Sequence, residues 1–395
     1  MTTQVAERRY YIDWIRVLAF FLLILFHCAM PFVVFGWEIK NQEQSVGLSR
    51  LIWWLHQWRL PLLFFIAGVG IHFSLQKRSV IKFAGERFVR LFIPLSFAML
   101  FTIPFQVYFE KLQKGLISGS YSNFYPTVWK FIPYPDGSLT WSHMWFVVYL
   151  FVFCILLLPV FALFKIKFLK KIKSKFADLF GNPFTSFLLF LPLSFYYFSL
   201  YIKYPEQQSL LDDWFLFVFS LTLLFYGYLL GGSDRFWKSC EKYRYYFLAI
   251  AAICIIYLFA GYWWNMNLPK EDGNRLYAFG ILNSIHIWCL VLSILGFAKR
   301  HLNFTNRFLK YATSAVYPFY ILHQTLIVIF GYYVVQWSLP ILPKFLILTI
   351  LCFGSLLLVY HLLIRPFILT RILYGLKPRE RKKKEKQVMV PVIEG

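Results

Sequence analysis

Charge is scarce in this chain, and negative charge is scarcer still. Of 395 residues only 15% are charged, 18 acidic against 41 basic, while 59% are hydrophobic and 22% aromatic. That is more apolar surface than a water-soluble fold of this length can hide. Cysteine pairs are missing as well. The six cysteines form no Cys-x-x-Cys; Cys28, Cys154, Cys254, Cys289 and Cys352 fall inside apolar runs and Cys240 in a basic joint, so packing rather than a disulfide framework or a thiolate zinc site is expected. No run alternates with period two, which excludes a membrane β-barrel, and no internal repeat is visible.

What is present is a series of runs near the roughly 20 residues a helix needs to cross the hydrocarbon core. Ten are expected, at about 14–35, 51–75, 90–110, 142–164, 184–203, 213–231, 245–264, 275–298, 312–335 and 343–364. The basic residues occupy alternate joints: Arg8 and Arg9, Lys77 to Arg87, Lys165 to Lys175, Arg235 to Arg244, Lys299 to Lys310 and the tail "KPRERKKKEK". The other joints carry Glu38, Glu43, Asp136, Glu206, Asp212, Asp213, Glu271 and Asp272. The positive-inside rule then makes the net charge of +23 a matter of topology, with both termini cytoplasmic and no nucleic-acid partner. The expected fold is therefore an all-α polytopic membrane protein in the cell inner membrane, residues 1–366, followed by a basic cytoplasmic tail, 367–395, set against anionic lipid headgroups. The first apolar run is longer than a signal peptide's and has no small-residue cleavage site after it, so it reads as an anchor.

Titratable side chains within such spans are costly and by default face an internal cavity. Arg16 and His27, eleven residues apart, share one face of the first span about 16 Å apart along its axis. In the second span His56 and Arg59 lie one turn apart in the outer half. An arginine at that depth keeps its proton and calls for an anion, a polar carbonyl or water. Arg87 and Arg90 share a face at the inner boundary of the third span. They are either topology markers or, with Arg16, a phosphate-binding cluster. His143 opens the fourth span at the outer boundary, and His323 lies near the middle of the ninth. No carboxylate joins the histidines at metal-ligand spacing, so no metal is expected. In apolar surroundings an imidazole tends to stay neutral, as a general base must, and His27 is the candidate.

These residues resemble the membrane enzymes of acyltransferase family 3 over about residues 10–365. The resemblance rests on Arg16 and His27 within "YIDWIRVLAFFLLILFH", Arg87 and Arg90 before the Ile-Pro of "LFIP", "HMWFV" from His143 to Val147, and "YILHQ" with His323. The branch it looks most similar to adds succinyl groups to periplasmic glucans. One departure is "FFIAGVG", where Ala67 stands at a position usually serine.

The resemblance implies a transmembrane O-acyltransferase that takes an acetyl or succinyl group from cytoplasmic acyl-CoA and delivers it to a hydroxyl of an extracytoplasmic carbohydrate, alone or with a separate extracytoplasmic partner enzyme. Arg16, Arg87 and Arg90 would hold the CoA phosphates. His27 would act as base or as acyl-carrying nucleophile, with Arg59, His143 and His323 in the catalytic set. Arg59 would face the oxyanion or the distal carboxylate of a dicarboxylic acyl group, and Trp145 and His56 would contact the acceptor. The rival reading is a secondary transporter or flippase, with Pro61, Pro94, Pro104 and Pro318 as helix breaks.

Overall fold

The structure, a computed structural model, describes residues 8–377. Most of the expected basic tail lies outside the described residues. An apolar segment without water must satisfy its backbone internally, and helices do so here. They are α1 (Tyr10–Phe32), α2 (Val46–Gln76), α3 (Val80–Gln113), α4 (Ser142–Leu156), α5 (Lys167–Leu179), α6 (Pro183–Ser199), α7 (Trp214–Leu230), α8 (Asp234–Trp263), α9 (Asn274–His301), α10 (Arg307–Val334) and α11 (Ile341–Ile364). Several starts are capped as their sequences suggest: the side chains of Ser45, Ser79, Ser233 and Asn306 accept from the backbone N–H of Leu48, Lys82, Phe236 and Leu309. Among the described residues there is no strand, only an isolated bridge between Pro133 and Leu139.

Each of the ten expected runs is helical, but not each is a simple span. Seven helices are long and apolar enough to cross a bilayer. The fifth run, α6, is broken from α5 by a 98° bend, while α4 and α7 are shorter apolar helices. The third extends well beyond its expected limits, as α3, and contains two π-helical turns, Phe88–Phe92 and Ala98–Thr102. The prolines do not break the spans. Pro61 and Pro318 lie inside continuous helices, and Pro94 and Pro104 follow the two π turns, which absorb the lost N–H groups.

Burial separates inner from outer helices. The apolar windows of α2, α9 and α10 are 67–72% buried, against 28% for α8 and α11, whose Ile253, Ile256, Ile350 and Leu358 point outward. The tightest crossing is α2 on α7. A Cβ on Gly68 would overlap the Leu224 carbonyl oxygen, and one on Gly227 would overlap that of Phe65. Small residues let the two backbones touch, which drives association where lipid is as apolar as leucine. The "FFIAGVG" segment thus serves packing through Gly68.

The basic joints meet at one end of the bundle. Arg9 donates to the Gly231 carbonyl and pairs with Asp234, Lys165 donates to the Arg78 carbonyl, and the Trp14 indole donates to the Phe304 carbonyl. At the other end the acidic joints meet: Trp141 donates to the Gln208 carbonyl and His56 pairs with Glu206 at 3.2 Å.

Candidate active site

The half of the bundle away from the basic end holds a cavity of about 820 Å³ whose lining includes His27, His56, Arg59, His143, Trp145 and Tyr320. Helices α1, α2, α4 and α10 supply these residues, so side chains far apart in sequence converge on one space. His27 Nδ1 lies 2.8 Å from His323 Nε2. His323 Nδ1 lies 2.6 Å from the Tyr320 carbonyl oxygen, which can only accept. The tautomers follow. His323 donates from Nδ1, its Nε2 accepts, and His27 donates from Nδ1, which leaves His27 Nε2 with a lone pair. His323 is fully buried behind His27 and does not line the cavity.

His143 is engaged at both nitrogens. Its Nε2 donates to the Ile321 carbonyl at 3.2 Å and its Nδ1 accepts from the Gln106 amide at 3.3 Å. Its own carbonyl accepts from the Tyr320 hydroxyl at 2.6 Å, and its ring meets that of His323 edge-on at 5.2 Å. The geometry makes it a brace for the histidine pair. His56 is likewise occupied by Glu206, at the rim of the cavity.

Arg59 is 2% exposed, lies with its guanidinium carbon 3.8 Å from the centre of the Phe26 ring, and leaves Nε and Nη1 without a partner. A buried cation in that condition is costly unless something anionic or strongly polar meets it.

The sequence reading did not single out the polar wall beside the histidines. Glu38 Oε1 accepts from the Gln324 amide at 2.6 Å, Ser142 donates to Gln106 Oε1 at 2.8 Å, and Gln106 donates to Thr325 Oγ1 at 2.7 Å. Glu38 sits in the joint between α1 and α2, where burial, with Glu110 nearby, raises its carboxyl from the usual 4.5 to about 7. Gln324 directly follows His323 in "YILHQ", the one available signal. Glu38 read only as outward charge.

At the basic end Asp13 accepts from Arg16 and from Arg8, each at 2.8 Å. Arg16, Arg87 and Arg90 lie close enough to feel one another's charge. Among the described residues neither Arg87 nor Arg90 pairs with a carboxylate, and Arg87 Nε, the Tyr317 hydroxyl and the Thr313 hydroxyl are buried without partners. Unfilled donors around three guanidinium groups fit a phosphate-bearing ligand. Thr313, Tyr317, Tyr320 and Gln324 form one stripe of α10, so a single helix face runs from the arginines to the histidine cavity. The cavity reaches Phe20 and Tyr320, whose rings meet edge-on at 5.4 Å, and does not include Arg16.

An arginine and a histidine with ten residues between them on α1, the Arg87 and Arg90 pair at the first π turn of α3, and linked histidines beside one cavity come together in a multi-pass helical membrane protein, the setting of a membrane acyltransferase. The acyltransferase domain model of family 3 matches residues 9–364, and the chain belongs to this family. Relatives named glucans biosynthesis protein C, from Salmonella paratyphi B, Salmonella schwarzengrund and Salmonella dublin, are 23% identical over 387 residues, covering 96% of this chain and 97% of each relative. No solved structure matches.

Proposed function

We propose that this protein transfers an acetyl or succinyl group from cytoplasmic acyl-CoA to a hydroxyl of an extracytoplasmic glycan across the inner membrane. The observation that carries the reading is the tautomer chain from the Tyr320 carbonyl through His323 to His27, which holds an acceptor nitrogen toward the cavity. A nearly full-length match to the glucan biosynthesis relatives supports a glycan as acceptor.

The parts divide the work. Arg16, Arg87 and Arg90, with Tyr317 and Thr313, hold donor phosphates at the basic end, the cytoplasmic side by the positive-inside rule. The Phe20–Tyr320 contact opens for the thioester arm and otherwise keeps the two ends apart. His27 Nε2 takes the proton of the acceptor hydroxyl as its oxygen attacks the thioester carbonyl, and the same proton passes to the departing thiolate, so an ester and a free thiol form without net proton release. Arg59 meets the oxyanion, and with a dicarboxylic acyl group its free edge also suits the distal carboxylate. His143 braces the pair, while Trp145 and His56 border the acceptor.

The test uses sealed vesicles with labelled acetyl- or succinyl-CoA inside and a gluco-oligosaccharide outside. Label appearing as an ester on the external sugar is the expected result. Sugar that crosses unmodified while the donor stays intact would instead identify a transporter.

A further inference from the structure

Next to the histidine cavity lies a second one, of about 630 Å³, whose lining includes Val34, Gln106, Val107, Glu110 and Lys114. The two share Gly36, Trp37, Glu38, Tyr134, Thr140 and Ser142, so they are adjoining rooms with a common wall. That wall and the far side carry the groups a sugar ring recognises: flat aromatic faces on Trp37 and Tyr134, and planar acceptors on Glu38, Glu110 and Gln106. Glu110 is 6% exposed and is fixed by Lys114 at 2.6 Å and the Tyr134 hydroxyl at 2.8 Å. Glu38, at the junction, has Oε1 engaged by Gln324, while its Oε2 is shielded from solvent and has no partner. An oxygen so placed leaves one hydrogen bond unmade, and a sugar hydroxyl, which can donate or accept, would complete it once the side chains at the junction shift to admit it.

We propose that the second cavity binds a neighbouring sugar ring of the acceptor while the first holds the ring being acylated, with Glu38 taking a hydroxyl at the junction. The enzyme then recognises an oligosaccharide through at least two adjacent rings rather than a single sugar. This inference rests on the glycan-acylation reading.

Val34 lines only the second cavity and is 44% exposed, so Val34→Trp fills that room without forcing the core. The measurement is kcat/KM in vesicles for methyl glucoside and for a linear gluco-tetrasaccharide, with the parent, Val34→Trp and Val34→Ala. The parent is expected to prefer the tetrasaccharide about tenfold, equal to about 1.4 kcal/mol. Val34→Trp should erase that preference and leave methyl glucoside unchanged, while Val34→Ala keeps it. A parent that treats both acceptors alike, or a Val34→Trp variant that retains the preference or loses both substrates equally, overturns the inference and leaves glycan acylation standing. If the parent labels neither sugar, the glycan reading fails and takes the second cavity with it.

Discussion

The basic end and the outer cavity are built on the same helices, α1 and α10, yet their polar groups are of opposite kinds. At the basic end three guanidinium groups gather, Asp13 pairs with Arg16, and the Tyr317 and Thr313 hydroxyls beside them have no partner among the described residues. In the cavity the histidines are linked in fixed order to carbonyls and amides, so direction rather than charge is supplied. The difference follows from depth. Near the membrane boundary a cation can be screened by water or answered by a soluble anion, whereas farther in an unpaired charge is expensive and a neutral hydrogen-bond chain is not. Arg59 departs from this rule: it is buried, it borders the cavity, and its Nε and Nη1 have no partner among the described residues.

His27→Ala should lower acyl transfer by about 10²–10⁴-fold, the usual contribution of a positioned acid–base group, while donor protection against thermal unfolding is unchanged. Transfer equal to the parent in the vesicle assay would remove the imidazole from the chemistry and reduce the outer cavity to a binding site.

His323→Ala tests whether the order of donors matters beyond the presence of His27. Without His323 Nε2 to accept, His27 loses the partner that fixes its tautomer. A fall of about 10²-fold in kcat is expected, smaller than at His27, with both KM values near those of the parent. A role confined to packing would instead lower thermal stability and leave kcat per folded molecule intact, so the two readouts separate positioning from support.

The basic end answers to a different measurement. Arg87→Ala with Arg90→Ala removes charge-assisted bonds worth roughly 1.5–3 kcal/mol each, so donor KM should rise at least about tenfold and CoA should no longer raise the unfolding temperature. The rate with saturating donor should stay close to the parent's. Undiminished protection by CoA would make these arginines markers of orientation alone.

How far these two ends could be read from the chain differs for a physical reason. The arginines and His27 stand out because charge or imidazole within an apolar run has few explanations, and the interval from Arg16 to His27 fixes a shared helix face. The pairing of His27 with His323 spans 296 positions and is set by how α1 meets α10, which no local pattern encodes. Glu38, Gln106 and Ser142 lie in joints or among ordinary polar residues, so their convergence is visible only in three dimensions. The broken α5–α6 segment and the short α4 and α7 show the same limit in the fold: hydropathy counts apolar residues, while bends come from joints such as Gly181 and Asn182, just before the Pro183 that opens α6. Gly68 was legible as a glycine but not as the contact with Leu224.

The smallest expected effect concerns the wall that joins the cavities, and it sharpens the contrast between charged and neutral ends. Glu38 lies outside the spans, and burial, with Glu110 nearby, raises its carboxyl from 4.5 to about 7. The groups around it are Glu110 on α3, itself held by Lys114 and Tyr134, with Gln324 from α10 and Ser142 from α4, while Lys40 of its own joint lines the same cavity and donates to the carbonyls of Met30, Val33 and Phe35. Because the folded state holds this proton more tightly than the unfolded chain does, the contribution to stability is fully present below about pH 4.5. It is lost as pH rises through about 7. The unfolding temperature in detergent should therefore decline by about three degrees between pH 5 and pH 8 in the parent, roughly the shift that a ΔΔG of about 2.5 kcal/mol gives in a chain of this size. Glu38→Gln should flatten that slope while keeping the acceptor of the Gln324 amide, and an unchanged slope would remove Glu38 from the pH dependence.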